Sequence, residues 1–575
     1  MKYLLAKSYN TKIYPDAPPD YALLTQHSRD VASACAALAD EVGKIALTNL
    51  GLDDKDFDSF REELKANGWI QDLGKANSHF QEMVSGKLDG RQLLRHETIS
   101  GLLIFADSLP FQNWLSEKFL ETALFSIVWS AMGHHRKFDE GTESTQALRL
   151  KVYLTHPDFK AVIKEMQIDL GLSTSPNFED DITITGNFRE KCDFDAQTEV
   201  RDLQETFKEN ERLFIEEPEK RRLALIKGLG IAADVAASAI AKKEKFAKRY
   251  SLSSVVQESF QIGLTTDDFS AIVDKFEGIY PFQQSVADSG GYLTLAQAGC
   301  GSGKSLAAYL WAQNWCRRFT DEGRTNFRLF FCLPTTGTTT EHFKDYALES
   351  GIPPEMLSLT HSRASVDLQT IAETDPREEA GENSKNPAQD ILRAEQDKIE
   401  SLALWSTPLV VTTSDTVLGL MANARRSIYS LPAIMCGAIV FDEIHAFDDQ
   451  MFGHLLVFLK NFPKLPILLM TASLPEKKLE AIKKVRPDFT AENCIEGDKD
   501  FAELKRYKIR EVSDENEIWQ AIKECVVNDG KVLWVRNQVD WANDTYEKCL
   551  VEFNNISVEI YHSRLKYLHR SERHR

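Results

Sequence analysis

Apolar residues recur at helical spacing through 31–47, 99–105, 119–132 and 223–241, with few alternating β-branched runs between them. The chain to about Ala247 therefore reads as almost entirely helical, with Pro157 and Pro176 marking loops. From about Tyr280 the texture changes. Short apolar runs at 292–296, 328–333, 409–412, 438–441 and 467–470 predict strands, and segments such as 305–316 and 450–460 predict helices between them. That alternation is expected of a parallel sheet covered by helices on both faces. A polar, charged stretch at 375–389 predicts a surface loop, and runs at 532–535 and 558–561 predict the start of a further α/β unit.

With 575 residues the chain is too long for one core. The expected division is a helical domain at 1–247, a connection at 248–278, an α/β lobe at 279–500 and an incomplete second lobe at 501–575. A hydrophobic share of 43% supplies ample core material, yet no apolar run approaches a membrane span. The start, MKYLLAKSYN, lacks a secretory signal, and nine cysteines without a CxxC pair argue against a disulfide scaffold or structural zinc site. A cytoplasmic, reduced protein without a membrane partner is the expectation. The net charge of −19 leans against nucleic acid, although a globally acidic enzyme can carry a basic channel.

The run at 292–296 leads into QAGCGSGKS, residues 297–305. Glycines such as Gly301 and Gly303 let a loop curl, with Ser302 between them, so that successive N–H groups face phosphate oxygens. The helix that follows directs its positive end at the same charge. Lys304 would reach the β- and γ-phosphates of ATP, and Ser305 would bind Mg²⁺. After a later apolar run comes Asp442-Glu443-Ile444-His445. There Asp442 would hold the Mg²⁺ shell and Glu443 would polarise the attacking water. Gln284, three residues after Pro281, would read the adenine edge. Leu333-Pro334-Thr335-Thr336, Thr413-Ser414-Asp415 and Thr471-Ala472-Ser473 follow strands, where loops commonly touch a nucleic-acid backbone. This set resembles superfamily 2 helicases with a DEIH box, His445 included.

Histidines mark the helical part: His27 in LLTQHSRDVA, His96 in RHETIS, and His134-His135 in SAMGHHRKF. Asp72 stands in QDLGK and Asp234 in GIAADVAAS. Each alone is more often a surface or core residue than a ligand; as a set on apolar helices they can converge. The layout resembles the HD superfamily of metal-dependent phosphohydrolases. With the motor behind it, the chain resembles the CRISPR-associated helicase–nuclease of type I systems. That resemblance implies a multidomain fold: an all-α HD-type domain, an α/β RecA-like P-loop lobe with a parallel sheet, and the start of a second α/β lobe.

It also implies cleavage of single-stranded DNA coupled to ATP-driven, 3′-to-5′ movement along unwinding duplex, after recruitment by an RNA-guided surveillance complex. By position Asp72 would bridge two metals, with His96, His134 and His135 completing one site. His27 and Asp234 would belong to the other, and Lys75 would lie near the scissile phosphate. Histidine-rich ligation favours Mn²⁺, Co²⁺, Ni²⁺ or Fe²⁺ over Mg²⁺.

Two departures qualify the expectation. Gln71 stands where the family's histidine precedes the aspartate, which leaves the His27–Asp234 site short of a ligand. His79 is no substitute on a single helix, since eight residues on it would lie roughly 12 Å away. The second lobe begins near Lys505 and carries no late arginine motif, so ATP hydrolysis is expected to be poor; losing such an arginine costs ~10³ or more in related ATPases. A fragment, split gene or decayed copy would look like this. The competing readings are a catalytically impaired ATP- and DNA-binding recruitment module, and an HD phosphohydrolase of small nucleotides.

Overall fold

The computed structural model describes residues 2–87, 94–106, 108–134, 149–185, 194–211, 217–240, 251–361, 400–498, 508–512, 514–553 and 556–566. They form two compact units, 1–502 and 503–575. The stretch at 375–389 and His135 lie outside the described residues.

The first 240 residues are mainly helical. The helices that matter here are α1 (Leu24–Leu38), α2 (Phe57–Ile70), α3 (His96–Phe105), α4 (Glu121–Met132) and α5 (Glu217–Ile240). Their apolar faces enclose a core that includes Trp69, Ile99, Leu103, Phe111, Phe125 and Val128. Three short strands depart from the all-helical expectation: β1 (Arg149–Val152), β2 (Ile182–Thr185) and β3 (Phe194–Asp195). β1 alternates exposed and buried positions, which is a strand signature too short to stand out. The loop expected around Pro157 lies at 153–156, and the proline itself closes it. It opens the helix Pro157–Leu170, where its missing N–H would have had no partner anyway.

The second part is built on a seven-stranded sheet: β4 (Leu293–Gln297), β5 (Arg328–Leu333), β6 (Leu357–Thr360), β7 (Leu409–Thr413), β8 (Gly437–Phe441), β9 (Ile467–Thr471) and β10 (Cys494–Glu496). Their order is β10-β4-β9-β8-β5-β7-β6 and every pairing is parallel. The five predicted strands are all present; β5, β7, β8 and β9 are buried throughout, as strands covered on both faces must be. The two unforeseen strands, β6 and β10, are the sheet's edges. Helix α6 (Leu252–Gln261), α7 (Pro281–Ala287), α8 (Lys304–Asp321) and α9 (Asp449–Asn461) accompany it.

The two parts share a core, in which Val31, Leu38, Leu229 and Ala233 join the cluster that includes the sheet. Asn49 Nδ2 donates to Met435 O at 2.7 Å. Arg221 Nη1 donates to Leu50 O at 2.9 Å and its Nη2 to Lys460 O at 2.8 Å. Along α5, Ile231 and Val235 pack on Tyr429, and Gly228 lies against Leu431.

In the second unit, helices Glu515–Val527 and Val539–Glu552 are joined by Trp519, which meets Trp534 edge-on at 5.0 Å and stacks on Phe553. The strands predicted at 532–535 and 558–561 form no ladder among the described residues. Leu533 and Val535 are exposed instead; an extended segment becomes a strand only when a neighbour pairs with it.

Candidate metal centre and nucleotide site

Helix α2 ends at Ile70, and the chain tightens into a short turn, Leu73–Lys75, whose first amide step is capped by Asp72 O accepting from Lys75 N at 3.0 Å. The turn sits hard against the start of α3. Gly74 N is held by Ser100 Oγ at 2.9 Å, and a methyl group on Gly74 would land on the His96 carbonyl. Gly68 similarly lets α2 approach α1, because a Cβ there would come within 2.8 Å of Ala32 Cα. These close approaches bring His27, on the first turn of α1, to the carboxylate that follows α2.

The result is a buried cluster. His27 Nε2 lies 2.8 Å from Asp72 Oδ2 and 3.3 Å from Asp234 Oδ1. His96 Nε2 lies 3.3 Å, and His134 Nε2 3.8 Å, from Asp72 Oδ1. Lys75 Nζ is 2.9 Å from the same oxygen. Two three-ligand groups follow: Asp72 with His96 and His134, and Asp72 with His27 and Asp234, in each of which the ligand atoms lie within 4.8 Å of one another. Glu97 turns toward His96 Nδ1 at 3.4 Å and pairs with Arg95, while His134 Nδ1 meets Ala131 O at 2.5 Å. In both rings the second nitrogen is fixed from outside the cluster, which orients the first.

Burial opposes ionisation of Asp72, but Lys75 and the adjacent imidazoles of His27 and His96 outweigh it and hold the carboxyl well below its usual range. Asp234 is also held well below that range: burial opposes this, and the His27 bond prevails. Burial pushes His96 down to about 4 and lowers His134. Anionic carboxylates and neutral imidazoles are the protonation states that metal ligation requires. Gln71 is fully buried, and neither amide atom has a hydrogen-bond partner among the described residues. An amide left so in a protein interior is costly, and an inward-facing cation site is one environment that uses its oxygen. The donor set thus fits one or two divalent transition metals. His79 belongs to neither group; α2 has ended before it, and it lies on a separate helix, Ser78–Val84.

The sheet's parallel pairing puts the ends of β4, β5, β7, β8 and β9 along one edge. After β4 the loop turns through Gly301 and Gly303, both at positive φ, and Lys304 opens α8. Lys304 Nζ donates to Ala298 O at 3.0 Å and lies 3.8 Å from Glu443 Oε1. Ser302 folds back on Gly299 O, and Ser305 is half-buried on the first turn of α8. Burial and the neighbouring Glu443 push Asp442 up to about 7. Glu443 adopts a left-handed backbone, φ +51, which costs a non-glycine residue energy and swings its carboxylate toward the loop. His445 Nδ1 lies 3.1 Å from Glu443 Oε2 and 3.2 Å from Thr471 Oγ1, whose hydroxyl donates to Ser473 O. The carboxylate loop is therefore tied to the loop after β9.

The glutamines of α7 divide unexpectedly. Gln284 is exposed and bonds Asp288, whereas Gln283 is buried and donates to Gly303 O at 3.2 Å. Successive helical residues point about 100° apart, so only one of the pair can face the loop. Ser414 Oγ and Thr335 Oγ1 are occupied internally, bonding Leu333 O and capping the next helix.

Residues 7–241 match the family described as "Cas3, HD domain", and residues 280–482 match "DEAD/DEAH box helicase". A "Putative CRISPR-associated nuclease/helicase Cas3" of Myxococcus xanthus is 34% identical over 590 residues, covering 100% of this chain and 72% of the relative. A protein of the same description from Methanocaldococcus jannaschii is 22% identical, over 50% of this chain and 38% of its own length. Among solved structures, T. fusca Cas3-AMPPNP superposes with a TM-score of 0.52 at 19% identity, covering 89% of this chain and 54% of that one, which is a likeness of fold. With both family matches on one chain and a relative 34% identical over the whole of it, the chain belongs to the Cas3 family of CRISPR-associated nuclease/helicases.

Proposed function

We propose that this chain cuts single-stranded DNA at the Asp72 cluster and moves along DNA by hydrolysing ATP in the P-loop lobe, as part of CRISPR-associated defence. The observation that carries the proposal is the pair of three-residue groups sharing Asp72, each with its ligand atoms close enough together to hold a metal ion. That observation favours an enzyme over a recruitment module. The working division is a nuclease domain at 1–247 and a motor lobe at 279–500. A cytoplasmic site of action, a displaced DNA strand and an RNA-guided surveillance complex as partner belong to the same proposal.

In the nuclease, Asp72 would serve both metal sites, with His96 and His134 (and His135) on one side and His27 and Asp234 on the other. Mn²⁺, Co²⁺, Ni²⁺ or Fe²⁺ held there would supply Lewis acidity and a water of lowered pKa. Glu97 and the Ala131 carbonyl hold the two imidazoles in orientation. Lys75, already charge-paired with Asp72, offers its ammonium to a phosphodiester oxygen. In the motor, Gly301, Ser302 and Gly303 cradle phosphates, and Lys304 carries their charge. Ser305 and Asp442 would hold Mg²⁺, and Glu443 orients water. His445 transmits the state of that carboxylate to Thr471. Gln283, in contact with the phosphate loop, takes the role that position alone gave to Gln284.

The test is cleavage of circular single-stranded DNA without ATP, in Mn²⁺, Co²⁺ and Ni²⁺ separately. The unaltered protein should cut, and Asp72→Ala should lose about 10³-fold or more, since removing a principal catalytic group typically costs ~10²–10⁴. Cutting by Gln71→His alone would sink the proposal in favour of the recruitment reading.

A further inference from the structure

Helix α5 carries a second lysine to the turn that leads from α4 into His134. Ser130 Oγ of α4 reaches Leu223 O of α5 at 3.4 Å, and one turn on, Lys227 lies across the residue that follows α4, Gly133. A Cβ on Gly133 would come within 2.8 Å of both Lys227 Cε and Nζ. The next residue is the ligand His134, and two turns further along α5, about 10 Å away on the same face, stands the ligand Asp234. Lys227 therefore lies against the residue that precedes His134, on the helix that also carries Asp234.

Its chemistry differs from that of Lys75. Lys75 is paired with Asp72, whereas no carboxylate or carbonyl bonds Lys227 Nζ among the described residues. Burial alone lowers its pKa, with no neighbouring anion offsetting it. A half-buried ammonium with no partner is costly, and an anion supplied from outside removes the cost. We propose that Lys227 binds a backbone phosphate of the single strand lying in the nuclease site, one adjacent to the phosphodiester that is cut. This rests on the nuclease reading above and extends it to the path of the strand, which runs over Gly133 where the absence of a side chain leaves the ammonium accessible. The competing account is that the lysine stem merely covers Gly133.

Methionine keeps the stem and removes the charge, so Lys227→Met separates the two, and Lys227→Arg restores the charge. Three quantities are read on the full chain: bound metal by elemental analysis, affinity for a short oligo-dT in EDTA across a salt series, and KM for single-stranded DNA cleavage in Mn²⁺. With metal content unchanged, Lys227→Met should weaken oligo-dT binding about tenfold and raise KM similarly, as expected for one lost charge-assisted contact. The log–log salt slope should fall by about 0.7, the value for one phosphate on a single strand. Lys227→Arg should recover most of both. Unchanged affinity and slope in Lys227→Met would overturn the proposal, as would a loss of metal or of folding that Lys227→Arg shares. If the unaltered protein does not cut while Lys227→Met still weakens oligo-dT binding with the lower slope, the phosphate contact stands and the nuclease reading falls.

Discussion

His342 is chemically conspicuous yet plays no part in either site. It sits among Tyr309, Phe331 and Tyr346, with Tyr309 Oη 2.9 Å from its Nε2, and burial lowers its pKa from 6.5 to about 3. Between those values the unfolded chain binds a proton that the folded chain does not, so stability falls as pH drops from 6.5 toward 3. The expected slope is about 1.4 kcal/mol per pH unit from this group. Urea unfolding of the protein and of His342→Gln between pH 7 and 5 checks it: the variant should lose that much of the slope. Residue type alone did not separate this core histidine from those of the Asp72 cluster. The convergence of His27, His96, His134, Asp72 and Asp234 was legible because several such residues fell on apolar helices at once. The contact of Lys227 with Gly133 was not, since a half-buried lysine reads like any solvated one, and which of Gln283 and Gln284 faces the glycine loop was not, because a seven-residue helix gives little phase information.

At the level of elements, the turn Leu73–Lys75 is set by what it presses against. Alanine at Gly74 would drive a methyl into the His96 carbonyl and to within 2.8 Å of Ser100 N, both backbone atoms that cannot rotate away. The turn and α3 must part, and with them Asp72 and His96. Gly74→Ala is expected to lower stability by about 3 kcal/mol and to reduce bound metal, read by thermal melting and elemental analysis. A variant that melts and binds metal like the parent would show that the turn is free to shift. The central strands of the sheet were legible as unbroken apolar runs of about five residues. The edges β6 (LSLT) and β10 (CIE) were not, because a short strand paired on one side needs little apolar content. The three-stranded sheet escaped because its strands are two to four residues long.

Across the whole molecule, the sequence texture changes near Ala247, yet packing does not divide there. Arg221 reaches from α5 to carbonyls at Leu50 and Lys460, and Arg328, fully buried in the lobe, donates to Ser259 O and lies beneath Phe260. Arg221→Ala should cost about 2 kcal/mol in chemical denaturation, the scale of hydrogen bonds from a charged donor; a change within error would mean that the carbonyls find other donors. None of this seam could be read from periodicity, which reports the faces of one element and not which distant element covers them. The net charge of −19 was equally mute about the site, where three cationic side chains, Lys75, Lys227 and Lys304, lie beside carboxylates or glycine loops.

Helix α5 has a practical bearing on how such a protein is taken apart. It carries Asp234 to the Asp72 cluster on one face and presents Ile231 and Val235 to Tyr429 on another. An expression fragment ending where the texture changes would keep the whole Asp72 cluster and lay those two side chains bare, while Asn49 and Arg221 would each lose an acceptor in the lobe. Such a fragment would self-associate through the bared helix, and its metal content would report on aggregation as much as on ligands. Truncation at the boundary of the helical domain is thus a poor route to its chemistry, and point substitutions in the intact chain are the sound one.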